Sequence, residues 1–149
     1  MDLTQLQSPD ISFWTIWEER TLLGFGALKR LSADHGEVKS MHTAQAARRR
    51  GAGSAMLSHI IQTARERGLS RLSLETGASE YFVPARTFYK SHGFVECPPF
   101  ADYVLDPNSV FMSLDLRHYS PEAYRKIQKT KEIMRRYSGA LQKLANAKE

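Results

Sequence analysis

The apolar pattern of this chain begins with strands and then switches to a helical period. Ile11 to Glu18 reads ISFWTIWE, rich in β-branched and aromatic types, and predicts a strand. A turn at Glu19-Arg20 leads into TLLGFGALKRL (Thr21 to Leu31), its antiparallel partner, so the pair predicts a hairpin. Asp34-His35-Gly36 reads as a turn, and EVKSMHT (Glu37 to Thr43) as a third strand. Strict alternation would place Val38, Ser40 and His42 on one face of it, and Glu37, Lys39, Met41 and Thr43 on the other.

From Gly51 to Arg67 the apolar residues fall at Ala52, Ala55, Met56, Ile60 and Ala64, with Leu57 and Ile61 widening the stripe. That spacing predicts an amphipathic helix ended by Gly68. RLSLET (Arg71 to Thr76) is the next strand. Strand, basic loop, helix and strand form a βαβ unit, which implies neighbouring parallel strands. A short helix follows from Pro84 to His92, with Pro84 in its first turn and Gly93 beyond its end. Phe94-Val95-Glu96 opens a short strand, Cys97 to Ser109 is a long loop, and Val110 to Leu116 closes the unit. The expected fold is α+β: a mixed sheet of about six strands with two helices.

Ile127, Thr130, Met134, Tyr137, Leu141 and Leu144 recur at spacings of three and four, predicting an amphipathic C-terminal helix. Charge separates the same two regions. Residues 1–116 carry a net charge of −1 and residues 117–149 a net charge of +6. The expected division is a domain over 1–116 and a basic helical tail over 117–149. Such a tail can attract nucleic acid, but its three tyrosines at helical spacing do not make a base-stacking platform, which argues against that partner.

At 149 residues the chain can bury a core without metal or disulfide staples, and its single cysteine, Cys97, rules out an intrachain disulfide. It has no apolar run near 18 residues and no secretory signal pattern, so a cytoplasmic protein with no membrane partner is the expectation. The five histidines are scattered and Cys97 has no partner at ligand spacing, so no metal is expected.

The candidate chemistry begins between the third strand and the long helix, at Arg48-Arg49-Arg50-Gly51-Ala52-Gly53-Ser54. The first amides of a helix lack internal acceptors and carry the positive end of its dipole. The glycines admit a phosphate close to the backbone, and the arginines add bidentate donors. The loop is neither a Walker sequence nor a dinucleotide fingerprint. A solvated basic turn is the plain alternative.

Arg48-x-x-Gly51-x-Gly53 resembles the R/Q-x-x-G-x-G/A signature of the GNAT acetyltransferases. ARTFYKSHGF (Ala85 to Phe94) resembles their second signature, at the expected separation. The similarity spans roughly residues 11 to 116, and the SMHT, LSLETG, PFADY and DPNSVFM segments are similar to those of one branch of small bacterial GNAT proteins. The resemblance implies the GNAT fold and acetyl-CoA as co-substrate. Its pyrophosphate would lie on Arg48, Arg49, Arg50, Gly51, Ala52, Gly53 and Ser54, and its pantetheine arm along Met41-His42-Thr43. Phe88 and Tyr89 would stand beside it. An amine on a small molecule or peptide would attack the thioester directly.

Tyr89 falls at the family position for the group that protonates or stabilises the departing sulfur; the alternative is a helix tyrosine packed in the core. Glu37 is the candidate base, with a surface carboxylate paired to Lys39 or Arg71 as the alternative. Glu75 is either a rival base or a ligand for the acceptor's ammonium, or else a carboxylate bonded at its strand end. An imidazole is a natural general base, which makes His42 a third candidate, but it sits in a half-buried strand, where a structural role is commoner. Phe100, Asp102 and Tyr103 lie in the loop that would cover an acceptor pocket. The resemblance implies a strand and one or two helices ahead of the hairpin; only about ten residues precede the first predicted strand, so that element is expected to be missing. The tail is expected to cover the surface they would cover, or to pair two copies. A CoA-binding module without turnover is the second reading.

Overall fold

Two residues, Glu19 and Arg20, are enough to reverse the chain between β1 (Ile11–Glu18) and β2 (Thr21–Arg30). Glu19 takes the left-handed conformation this tight turn demands, with φ of 54°. The structure is a computed structural model that describes residues 9–44 and 51–117. Arg48, Arg49, Arg50 and the predicted C-terminal helix lie outside the described residues.

Beyond the hairpin come β3 (His35–Thr43), α1 (Ala52–Glu66), β4 (Arg71–Gly77), a 3-10 turn (Glu80–Phe82), α2 (Val83–Ser91), β5 (Val95–Cys97) and β6 (Ser109–Asp115). The six strands form one mixed sheet in the order β1-β2-β3-β4-β6-β5. Every neighbouring pair is antiparallel except β3 and β4, which are parallel and joined through α1. The fold is that of the sequence expectation. The turn before β3 lies earlier than predicted, because His35 and Gly36 already pair with Arg71, Leu72 and Arg30.

α1 lies on one face of the sheet with the predicted stripe buried: Ala52, Ala55, Met56, Leu57, Ile60, Ile61 and Ala64 are each at most 2% exposed. They meet Leu28, Val38, Leu72, Leu74 and Met112 from the strands. Burying each large side chain contributes about 2 kcal/mol, so this layer fixes how helix and sheet sit together. The helix ends in a Schellman arrangement. Leu69 N–H bonds to Ala64 O at 3.0 Å and Gly68 N–H to Arg65 O at 3.0 Å, with Gly68 at φ of 81°.

The alternation predicted for the third strand fails past Lys39. Ala27 pairs with Lys39 but Phe25 pairs with His42, so Ser40 and Met41 together oppose a single residue, Gly26. Ser40 absorbs this bulge at φ of 55°. The register slips by one and the faces exchange. Met41 packs with Val38 against the α1 side, where its Sδ, Met56 and Ile60 gather over Gly26. His42 turns to the opposite face and stacks on Phe25 at 5.0 Å. Glu37 lies on that opposite face with Tyr103 over it.

The parallel ladder between β3 and β4 is short. It consists of His35↔Arg71, Gly36↔Leu72 and Glu37↔Ser73. Beyond Glu37 and Ser73 the two strands part, while β4 stays paired to β6 as far as Gly77↔Ser109. The second half of β3 therefore faces the second half of β4 across an open wedge.

Candidate active site

A cleft of about 510 Å³ fills the wedge, within the usual range for a small-molecule site. Its walls come from Glu37 to Met41 on β3, Glu75 to Gly77 on β4, Phe82 just before α2, Ala85 and Tyr89 on α2, and Tyr103, Asn108 and Ser109. Backbone N–H and C=O groups along both separated strand edges have no partner in each other, which gives the cleft two rows of donors and acceptors.

Glu37 is the most enclosed carboxylate of the site, at 3% exposure. A buried charge needs compensation. Tyr103 Oη donates a 2.6 Å hydrogen bond to Glu37 Oε2, and Lys39 Nζ stands 3.8 Å from Oε1. Burial, the bond to Glu37 and the charges of Glu37 and Glu75 all push the Tyr103 phenol well above its ordinary value. It is therefore a neutral donor at physiological pH. Phe100 and Phe111 hold its ring edge-on and tilted, at 5.1 and 5.5 Å. The alternative of a surface carboxylate paired with Lys39 or Arg71 holds only in its Lys39 contact, since Glu37 is buried and Arg71 does not pair with it. Arg71 instead donates through Nε and Nη2 to Ser113 Oγ, at 3.2 and 3.0 Å.

Beneath Glu37 lies a polar network that the sequence did not reveal. His35 Nε2 meets Ser73 Oγ at 2.7 Å, and Ser73 Oγ meets Ser113 Oγ at 2.7 Å. Burial and the Arg71 charge hold the His35 imidazole below its ordinary value, so it enters the network neutral. The signal in the sequence is the serine at a core position of both RLSLET and FMSLDL. A buried hydroxyl there requires a partner, and each supplies the other's.

Glu75 is exposed on the opposite lip and accepts a 2.9 Å hydrogen bond from Ser109 Oγ. Tyr89 reaches the cleft from α2, with Phe88 and Phe94 against its ring at 5.4 and 5.8 Å. Burial pushes its phenol up to about 12.

The predicted cofactor residues divide into groups. Gly51 opens α1 at φ of 80°, a conformation that favours glycine. The first intrahelical bond here is Ala55 N–H to Gly51 O, and no side chain caps the end. Among the described residues, the amides of Ala52, Gly53 and Ser54 have no helical acceptor. The side chains of this turn look inward. Ala52 is buried in the core, Ser54 Oγ lies 3.2 Å from His92 Nε2, and Thr43 Oγ1 sits over Gly53 beside Phe88. Met41 borders the cleft; His42, Thr43 and Phe88 do not line it. Phe82, Asn108 and Ser109 line the cleft and were not singled out in the sequence: Phe82 and Asn108 come from connections whose path follows from no periodic pattern, and Ser109 opens β6 where the sequence predicted the end of a loop.

The acetyltransferase (GNAT) family model matches residues 1–94. The chain belongs to the GNAT family. An uncharacterized N-acetyltransferase of Bacillus subtilis is 52% identical over 116 residues, 78% of this chain and 77% of that one. An IAA acetyltransferase of Azospirillum brasilense is 38% identical over 117 residues, covering 78% and 75%. Among solved structures, a Bacillus subtilis acetyltransferase in complex with CoA superposes with a TM-score of 0.62 over 76% of this chain and 81% of its own, at 17% identity. The chain is therefore an acetyltransferase enzyme built on the GNAT fold. Cys97, whose Sγ lies 3.3 Å from Ser113 Oγ, is not among the residues lining the cleft of this GNAT enzyme.

Proposed function

We propose that this enzyme transfers the acetyl group of acetyl-CoA to a primary amine by direct attack in a ternary complex. The carrying observation is the wedge itself, with Glu37 on one wall and Tyr89 on another of a single cleft. Acetyl-CoA supplies the activated thioester. Its pantetheine amides suit the unpaired edge of β3 around Met41, and its pyrophosphate suits the first amides of α1, at Ala52, Gly53 and Ser54. Arg48, Arg49 and Arg50, next in sequence, supply charge for those phosphates.

The attacking amine must be neutral, so it loses a proton either before or during attack. Glu37 is the group placed to take it, directly or through one water, and Tyr103 holds the receiving carboxylate in place. As the carbon–nitrogen bond forms, the carbon–sulfur bond breaks and charge collects on the sulfur. Tyr89 is the donor for that charge. With its phenol at about 12, against a thiol at about 8.5, outright proton transfer is uphill. Tyr89 therefore acts by a hydrogen bond that strengthens as the thiolate develops, and solvent completes the protonation. No cysteine lines the cleft, which supports direct attack over an acetyl-enzyme.

Calorimetric titration of acetyl-CoA into wild type and Gly51→Asp, followed by thiol release with a panel of amines, tests this reading. Saturable binding lost in the variant, with amine-dependent thiol release, is the expected result. Binding without turnover on any amine would favour a CoA-binding module, and no binding would reject the proposal.

A further inference from the structure

The cleft treats its two carboxylates differently. Lys39 Nζ stands 3.8 Å from Glu37 Oε1, and a neutral Tyr103 donates to Oε2. Glu75 is bonded only to the Ser109 hydroxyl, and among the described residues no basic side chain pairs with it. The field near Glu37 is thus largely offset, whereas the field near Glu75 is not. An amine arriving at Glu37 is not held as an ammonium, but a cation arriving at Glu75 is.

Resting on the amine-transfer reading above, the geometry points to a diamine as the acceptor: its reacting nitrogen at Glu37 and its distal ammonium at Glu75. Glu37 pairs with Ser73, and Glu75 lies two residues further along β4 on the same face. One strand spacing and two residue rises put their Cα atoms roughly 8 Å apart, matching a chain of about four to six carbons between two nitrogens. Phe82, 37% exposed, and the Tyr103 ring supply apolar surface for that spacer. The charge pattern also sets the direction. The end beside Lys39 loses its proton and reacts, and the end beside Glu75 keeps its proton and anchors.

Three acceptors with the same reacting amine and spacer test this: 1,4-diaminobutane, 1-aminobutane and 4-aminobutanoate, whose distal groups are cationic, neutral and anionic. Wild-type kcat/KM should fall in that order. The diamine should lead the monoamine by about ten-fold once its two equivalent nitrogens are counted. In Glu75→Gln the diamine should lose about ten-fold through KM, shrinking its lead to about three-fold or less. Equal rates for diamine and monoamine, a preference for the aminobutanoate, or a parallel loss on all three in the variant would each overturn the inference while leaving amine transfer intact. If none of the three is acetylated while another amine releases thiol, this inference falls and amine transfer stands; if acetyl-CoA does not bind, or no amine releases thiol, both fall.

Discussion

Glu37 and Tyr103 share a 2.6 Å hydrogen bond across 66 residues of sequence. The bond ties the central strand to the long loop between β5 and β6, and it places a neutral donor on the most buried carboxylate of the cleft. A hydrogen bond to a charged group is worth about 1.5–3 kcal/mol, more than an exposed pair such as Lys90–Glu96 contributes. Tyr103→Phe keeps the ring's contacts with Phe100 and Phe111 and removes only the donor. It should lower kcat/KM by about ten-fold or more while shifting the melting temperature by only a few degrees. Steady-state kinetics beside a thermal melt check this; full activity would dismiss the carboxylate's need for the bond.

Tyr89 gives a prediction about alkaline pH. Its folded-state value, about 12, lies above the ordinary tyrosine value of about 10, so the folded state holds the phenolic proton more tightly. The stability this contributes is complete below pH of about 10 and is lost as pH rises towards 12. Melting temperatures at pH 9 and 11.5 should fall further for wild type than for Tyr89→Phe. At pH 8 the same variant should lose about a hundred-fold in kcat, with acetyl-CoA affinity within a few-fold of wild type.

Ser40 carries the bulge of β3 at φ of 55°. A β-branched side chain is poorly tolerated there, and Ser40→Val should cost about 1–2 kcal/mol. The larger effect should be on acetyl-CoA binding, since straightening the bulge would swing the Met41 edge out of the cleft. Calorimetry on the variant would register this as a weakened or absent heat of binding, and wild-type affinity would reject the bulge as part of the site.

Gly77 ends β4 under the ring of Phe82, and any Cβ at Gly77 would overlap that ring. Gly77→Ala must displace Phe82, at an expected cost of about 1–3 kcal/mol. The double variant Gly77→Ala/Phe82→Ala should recover part of the loss, because the clash is gone. Denaturant melts of both variants and of Phe82→Ala measure the coupling directly.

Periodicity made most of the fold legible. The α1 stripe was readable because burial selects every third or fourth residue, and the hairpin because its strands are β-branched and aromatic around a two-residue turn. The bulge at Ser40 was not, since a single inserted residue leaves the apolar pattern almost unchanged while it moves His42 to the Phe25 face. In the site, Glu37, Glu75 and Tyr89 proved to share one cleft because each sits on a regular element whose direction the pattern fixes. The Glu37–Tyr103 bond and the place of Phe82 depend on loop paths, which side-chain spacing does not encode. The His35–Ser73–Ser113 network was hidden for a different reason: serine is common on strands, and only its neighbours across the sheet give it a role.

The wedge between β3 and β4 separates two kinds of inheritance. A strand edge presents the same amide groups whatever side chains it carries, so recognition built on it survives substitution at almost any position that preserves the backbone. The proposed acceptor end depends instead on Glu75 and Phe82, two side chains on an exposed strand end and a short turn. Drift at those positions would retarget the enzyme without disarming it. One scaffold can thus keep its donor fixed while its descendants explore new acceptors.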